Sequence, residues 1–72
     1  MEDTTIYSFK VQYEEVTKPA VDYLKNDLSS EEAKVFFEYA KRHGSAQFED
    51  DEDRNFTLVY NDNNLYTLTR RS

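Results

Sequence analysis

The sequence is poor in the residues on which small proteins often rely for covalent or metal-based stability. It contains no cysteine, which excludes disulfides and thiolate-bound zinc. A chain of 72 residues buries only about 60% of the surface that it exposes when unfolded. We therefore expect the core to depend on the six tyrosines and five phenylalanines, or on association with a second protein molecule.

Glycine and histidine are each present once, and this scarcity argues against the common catalytic sites. Phosphate-binding loops and the nucleophile elbow of serine hydrolases need more glycine than the single Gly44. A serine nucleophile would need His43 as its base, yet the position of His43 at the end of a predicted helix is already explained by the helix dipole. We predict no catalytic, cofactor-binding or metal-binding residues. The protein is thus expected not to be an enzyme, and a small hydrolase is the third-ranked hypothesis.

Long apolar runs are also missing from the sequence. No segment approaches the roughly 18 consecutive apolar residues of a membrane helix, so we expect no membrane association. The acidic Glu2 and Asp3 stand where a signal peptide would be basic. Together with the absence of cysteine, these features favour a cytoplasmic location. Because the chain opens at Met1, we interpret it as a complete small protein.

Basic residues are outnumbered by acidic ones, nine to 15, which gives a net charge of −6. Direct binding to nucleic acid depends mainly on Lys and Arg contacts to phosphates, so this balance argues against it. A charge of this size also keeps a small protein in solution. Acidity by itself therefore does not identify a basic partner.

The N-terminal half contains a strand signal followed by two helix signals. Apolar and polar residues alternate over 6–16, which predicts a half-buried strand. Pro19 then suits a first helical turn, and apolar residues at helical spacing predict a helix over 18–28. A capping box of Ser29 and Glu32 begins a second helix, over 30–43. Gly44 follows at the position of a left-handed C-cap, and the basic residues before it suit the helix dipole.

The C-terminal third returns to the two-residue period of β-strands. Ala46 and Phe48 predict a short strand, and two longer strands are separated by the Asn-rich turn 61–64. A three-residue loop, 61–63, places the apolar residues of the last hairpin on one face. This register pairs Leu58 with Tyr66 and Phe56 with Leu68.

The predicted order is therefore β-α-α-β-β-β, an α+β fold. We expect a small antiparallel sheet with the two helices packed on one face. A single domain over 1–72 is predicted, with loose tails at 1–4 and 71–72.

The sharpest local feature is a run of five consecutive acids, and these are the predicted partner-binding residues: Glu49, Asp50, Asp51, Glu52 and Asp53. The simpler interpretation is a solvated hairpin loop that also discourages pairing of strand edges. The functional interpretation is a negative surface that docks on a basic surface of another protein, as a nucleic-acid mimic would. Four further acids would extend this surface if the fold places them nearby: Glu14, Glu15, Asp22 and Asp27.

The segment from Asp51 also resembles the start of an EF-hand calcium loop, with acids or amides at alternate positions. However, Phe56 stands at the sixth position, where the sharp turn requires glycine, and the following residues are predicted to form a strand. A calcium site is therefore not predicted.

These features favour a non-enzymatic acidic binding protein, a small regulator or inhibitor that docks on a basic surface of a partner protein. The alternative is a structural module or homodimer whose acidity serves only solubility.

Overall fold

The computed structural model describes residues 2–71. Its strands are β1 (Glu2–Ile6), β2 (Phe9–Tyr13), β3 (Ser45–Glu49), β4 (Asn55–Asn61) and β5 (Leu65–Arg71). The helices lie between β2 and β3. A 3₁₀ turn (Glu15–Thr17) leads into α1 (Lys18–Asp22), which continues as a π-helical turn (Tyr23–Asp27), and α2 (Ser30–His43) follows.

The five strands form one sheet in the order β1-β2-β5-β4-β3. Neighbouring strands are antiparallel except for β2 and β5, which run parallel. The predicted α+β class is confirmed, but the sheet is mixed and the predicted all-antiparallel sheet is wrong. The reason is the crossover: the helices carry the chain from β2 to the far edge at β3, and β5 then returns beside β2.

The N-terminal strand prediction was also wrong in detail. Instead of one strand over 6–16, β1 and β2 form a hairpin, and the order begins with two strands. Its turn residues, Tyr7 and Ser8, both have positive φ, of 45° and 79°. Positive φ at both central residues is the geometry of a two-residue type I′ turn. Of the tails predicted at 1–4 and 71–72, residues 2–4 belong to β1 and Arg71 ends β5, whereas Met1 and Ser72 lie outside the described residues.

Helix α2 has the predicted limits. The Ser29 hydroxyl accepts from the Glu32 backbone N–H at 3.2 Å, and a Glu32 carboxylate oxygen accepts from the Ser29 N–H at 2.9 Å. Gly44 adopts a φ of 96°, and its N–H donates to the Ala40 carbonyl. The helix therefore begins and ends on local signals.

The β4–β5 hairpin has the predicted three-residue loop length but a different register. Its loop is 62–64, so Leu58 pairs with Leu68 and Tyr60 with Tyr66. The Asn61 side chain adds a bond across the hairpin by donating to the Thr67 hydroxyl at 2.6 Å. Because the register differs from the predicted one by two residues, the same side chains still face the core.

The core lies between one face of the sheet and the helices. Phe37 of α2 is central to it, with its ring stacked on Phe9 at 4.2 Å and edge-on to Tyr66 at 4.9 Å between centroids. Aromatic packing thus supplies much of the burial, as expected for a chain without cysteine. Within residues 2–71, no helix has both the length and the apolar composition needed to cross a membrane.

Candidate protein-binding site

The acidic run forms the connection between β3 and β4, and its five carboxylates have different positions. Glu49 ends β3, while Asp51, Glu52 and Asp53 are exposed in the loop. Asp50 is buried, with 7% of its surface exposed. The structure therefore places four of the five predicted partner-binding residues on the surface and one inside.

Asp50 holds the loop in one conformation. Its Oδ1 accepts hydrogen bonds from the backbone N–H groups of Glu52 and Arg54, both at 3.0 Å. Its Oδ2 accepts from the Arg54 Nε at 2.7 Å. Two backbone bonds close the same loop, from the Asp50 N–H to the Arg54 carbonyl and from the Asp53 N–H to the Asp50 carbonyl. The side chain therefore acts as the internal support of the loop.

The protonation of Asp50 follows from these contacts. Burial acts to raise the pKa of this carboxyl, but the hydrogen bonds from Arg54 and from the Glu52 backbone favour the ionised form. Their combined effect is dominant, and the pKa lies below its usual value. Asp50 is thus charged at neutral pH, and its charge is directed at Arg54 and the loop backbone.

Asp27, at the end of the π-helical turn, lies against the acidic loop. The pKa of Asp27 is raised, because its protonated carboxyl can donate a hydrogen bond to Asp51, and partial desolvation and the charge of Asp51 act in the same direction. Asp22 and Asp50 add weaker repulsion. Of the four acids expected to extend the surface, Asp27 thus lies next to the loop, and Asp22 acts on Asp27.

The other two of these acids, Glu14 and Glu15, have different neighbouring residues. Glu14 lies beside Thr69 and Arg70 near the end of β5, and Glu15 begins the 3₁₀ turn. Glu14 in addition accepts from the Thr17 hydroxyl through its backbone carbonyl, at 2.7 Å, which stabilises that turn. We define the acidic surface as the exposed acids of the loop and its neighbour: Asp27, Glu49, Asp51, Glu52 and Asp53.

Tyr23 forms the apolar base of this surface. Its ring stacks on Phe48 of β3 with 6.1 Å between centroids. Burial raises the pKa of the Tyr23 hydroxyl, and the surrounding acids, led by Asp51 and Asp27, raise it further. The phenol therefore remains neutral over the physiological range and adds no negative charge.

The geometry excludes the EF-hand interpretation. A calcium loop would have to continue from Asp51 past Phe56 in a curved path, but β4 begins at Asn55 and continues straight to Asn61. In the part of the chain from residue 2 to residue 71, no three His, Asp or Glu side chains are grouped as metal ligands.

His43 lies in the last turn of α2, as predicted, with its ring 4.3 Å from that of Tyr39. Lys41 and Arg42 in the same turn are exposed, as is His43, and their positive charges suit the negative end of the helix.

Comparisons with protein-family models, with curated proteins and with solved structures gave no significant match to this chain.

Proposed function

We propose that this protein is a non-enzymatic, cytoplasmic binding protein that docks its acidic surface on a basic surface of a partner protein. The observation that carries the proposal is the approach of Asp27 to Asp51, two exposed acids from different elements that lie close enough for Asp51 to raise the pKa of Asp27. Like charges this close repel each other unless one is protonated. A positively charged partner group would remove that repulsion, so binding is favoured by the arrangement of the free protein.

The rigidity of the loop also supports the proposal. Binding by a flexible chain is weakened by the entropy lost when side chains and backbone are ordered. Here Asp50 and Arg54 already hold the loop through bonds of 2.7 to 3.0 Å. The exposed carboxylates of Asp51, Glu52 and Asp53 are therefore presented on a preformed support, which a purely solubilising acidic segment would not need.

The partner chemistry follows from the same surface. Clustered carboxylates on a fixed support match sites at which proteins bind phosphates, because those sites use Lys and Arg. We therefore propose a nucleic-acid-binding protein as the partner, which this protein would inhibit by occupying the site as a mimic.

The test compares two variants with equal net charge. In the first, Asp51→Asn, Glu52→Gln and Asp53→Asn neutralise the exposed loop and leave Asp50 in place. In the control, Glu2→Gln, Asp3→Asn and Glu15→Gln neutralise three exposed acids elsewhere. Both changes take the net charge from −6 to −3.

The measurement is affinity capture from the native cytosol at low salt, followed by elution with increasing NaCl. We expect the wild type and the control variant to capture the same partner and to release it as screening increases. The loop variant should lose at least tenfold in retained partner. Equal loss in both variants would show that only net charge matters, and retention by the loop variant would contradict the proposal.

A further inference from the structure

Strand β3 is an edge strand with a free side. In an antiparallel pair, residues alternate between those that bond to the neighbour and those whose N–H and C=O point away. The bonds from the Tyr60 N–H to the Gly44 carbonyl and from the Asp50 N–H to the Arg54 carbonyl fix this alternation at both ends of β3. The polar backbone groups of Ser45, Gln47 and Glu49 therefore point to the free edge.

A groove of about 530 Å³ runs between this edge and α2. Its wall is a row of residues at helical spacing, the apolar Val35 and Tyr39 followed by His43, and its floor includes Ala46. Val35 is 65% exposed and Tyr39 is 54% exposed, the most exposed large apolar residues of α2. The rest of the apolar face of α2 is buried in the core, so this flank is a second apolar surface beyond the one needed for folding.

The two ends of the groove have opposite charge. Gly44 alone connects α2 to β3, and the two elements run in opposite directions, since the ring of Phe36, early in α2, lies 5.4 Å from that of Phe48, late in β3. One end carries the helix start, Glu31 and Glu32, together with Glu49 and the acidic loop. The other end carries Lys41, Arg42 and His43.

We infer that the occupant of this groove is a second copy of the chain, bound about a two-fold axis at Gln47. The β3 strands of two copies would pair antiparallel, with Gln47 opposite Gln47 and Ser45 of each copy opposite Glu49 of the other. The two sheets thereby join into one sheet of ten strands. The α2 flanks of the two copies then meet over the shared edge, with Tyr39 near the axis.

Charge complementarity selects a second copy over an unrelated apolar peptide. A two-fold axis across a groove that is acidic at one end and basic at the other places each acidic end against a basic end. Each exposed strand edge is also covered, which removes a site of uncontrolled pairing. The other sheet edge, at β1, carries Glu2 and Asp3 and no basic residue, so it lacks this complementarity.

The size of the contact indicates that the helix flank is needed as well as the strand. A stable interface takes about 800 Å² from each partner, roughly a sixth of the 4707 Å² accessible surface of this chain. A strand of five residues is too short to supply this area alone. We therefore expect both the strand edge and the α2 flank to contribute to dimer stability.

The inference is independent of the proposed function, and its test uses purified chain without any partner. Sedimentation equilibrium should give a mass of twice 8.6 kDa at micromolar concentration. Gln47→Pro removes an outward N–H without removing a bond to β4, and Pro is tolerated on an edge strand. Tyr39→Lys places like charges at the axis and leaves the exposed position compatible with the helix. Both variants should be monomers with an unchanged circular dichroism spectrum.

The matched control is Thr5→Pro on the opposite sheet edge. The two-residue turn of the first hairpin makes Ile6 and Phe9 a bonded pair, so the N–H of Thr5 also points outward. This variant should remain a dimer. A monomeric wild type at micromolar concentration, dimers that persist in both Gln47→Pro and Tyr39→Lys, or dissociation in Thr5→Pro alone would overturn the inference.

A disulfide cross-link tests the register directly, because the chain has no cysteine of its own and a single introduced cysteine can pair only with its copy in the other chain. Bonded antiparallel pairs have Cα atoms about 5.5 Å apart, within the range that a disulfide spans. Gln47→Cys should therefore form a covalent dimer on mild oxidation, whereas Ser45→Cys, which lies opposite Glu49, should not. Equal cross-linking of the two variants would contradict the stated register.

Discussion

Asp50 and Asp51 are neighbours in the chain, yet the protein uses their carboxylates in opposite ways. Asp50 turns inward and accepts three hydrogen bonds from Arg54 and Glu52. Asp51 turns outward and meets Asp27. The first set of contacts stabilises the loop, whereas the second brings two exposed carboxyls near each other and raises the pKa of Asp27. A run of identical charges is therefore divided into a structural part and an available part.

We predict that Asp50→Ala lowers the free energy of unfolding by about 2 kcal/mol, because it leaves the Arg54 guanidinium and two loop N–H groups without their shared acceptor. Asp50→Asn should cost less, since the amide oxygen can still accept the two backbone bonds. Urea unfolding of the purified chain measures both. In the control, Glu52→Ala, only an exposed side chain is removed, and a change within about 0.5 kcal/mol is expected. An Asp50→Ala protein as stable as that control would show that the loop does not need its internal carboxylate.

The sequence shows where the candidate site lies, but not that Asp50 supports the loop while the other acids are exposed. Five adjacent acids are visible to inspection, and their position between two strands follows from the hydrophobic period. The role of Asp50 has one local signal, an arginine four residues later in a turn. The approach of Asp27 has none, because it depends on how the π-helical turn packs over Phe48 through Tyr23.

At the scale of elements, α2 and the first hairpin show what local signals can and cannot predict. Helix α2 was predicted with its observed limits because a capping box and a C-cap glycine mark its two ends. The first hairpin was missed because Tyr7 and Ser8 take positive φ where Asn and Gly are usual. Strand β1 also buries a single apolar residue, Ile6, so it has no alternating pattern.

The pairing between distant strands also could not be predicted from local sequence patterns. The parallel contact of β2 with β5 joins Lys10 to Leu65 and Val11 to Tyr66, more than fifty residues apart. Nothing in either strand's period indicates which neighbour it takes. The face of the sheet on which a side chain lies is easier to predict, because it changes only when the register shifts by an odd number of residues. The buried face of β4 and β5 was therefore predicted correctly although their register was not.

The turn between β1 and β2 is hydrogen-bonded to the helices, and this contact predicts the effect of removing one hydroxyl group. The Tyr7 hydroxyl lies 2.8 Å from the carbonyl oxygen of Lys25 and 2.9 Å from that of Leu28, and these two acceptors share its single proton. These carbonyls lie at the end of the π-helical turn, where the helix leaves them without partners. We expect Tyr7→Phe to lower the free energy of unfolding by about 1 kcal/mol.

The control for this prediction is Tyr60→Phe, whose ring keeps its contact with Tyr66. Thermal unfolding of the two variants should show a lower Tm for Tyr7→Phe and a Tm near that of the wild type for Tyr60→Phe. Equal effects of the two changes would mean that the hydroxyl of Tyr7 does not tie the hairpin to the helices.

At the scale of the whole molecule, the charge of −6 is unevenly distributed. Acids concentrate where the β3–β4 loop, the π-helical turn and the start of α2 come together, and bases close α2 at the opposite end of β3. This separation of charge connects the two proposals. A molecule that is acidic at one end and basic at the other can pair with a second copy about a two-fold axis and still present Glu52 and Asp53 to a basic partner. Its stability should also depend on the protonation of the acidic end.

Two carboxyls make opposite contributions as pH falls. Asp27 has a raised pKa, so acidification from neutral pH protonates it in the folded state before the unfolded value near 3.8 is reached, and stability rises. Asp50 has a lowered pKa, so the unfolded chain takes up the proton first as pH falls through 3.8, and stability is lost until Asp50 itself is protonated in the folded state.

We therefore predict that urea unfolding at constant ionic strength gives maximum stability at weakly acidic pH, above 3.8. Asp27→Asn should raise stability at pH 7 and remove the rise on acidification, whereas Asp50→Asn should reduce the fall below the maximum. A wild-type profile that declines steadily from pH 7, or an Asp27→Asn profile identical to it, would show that the Asp27–Asp51 contact carries no repulsion in the folded protein.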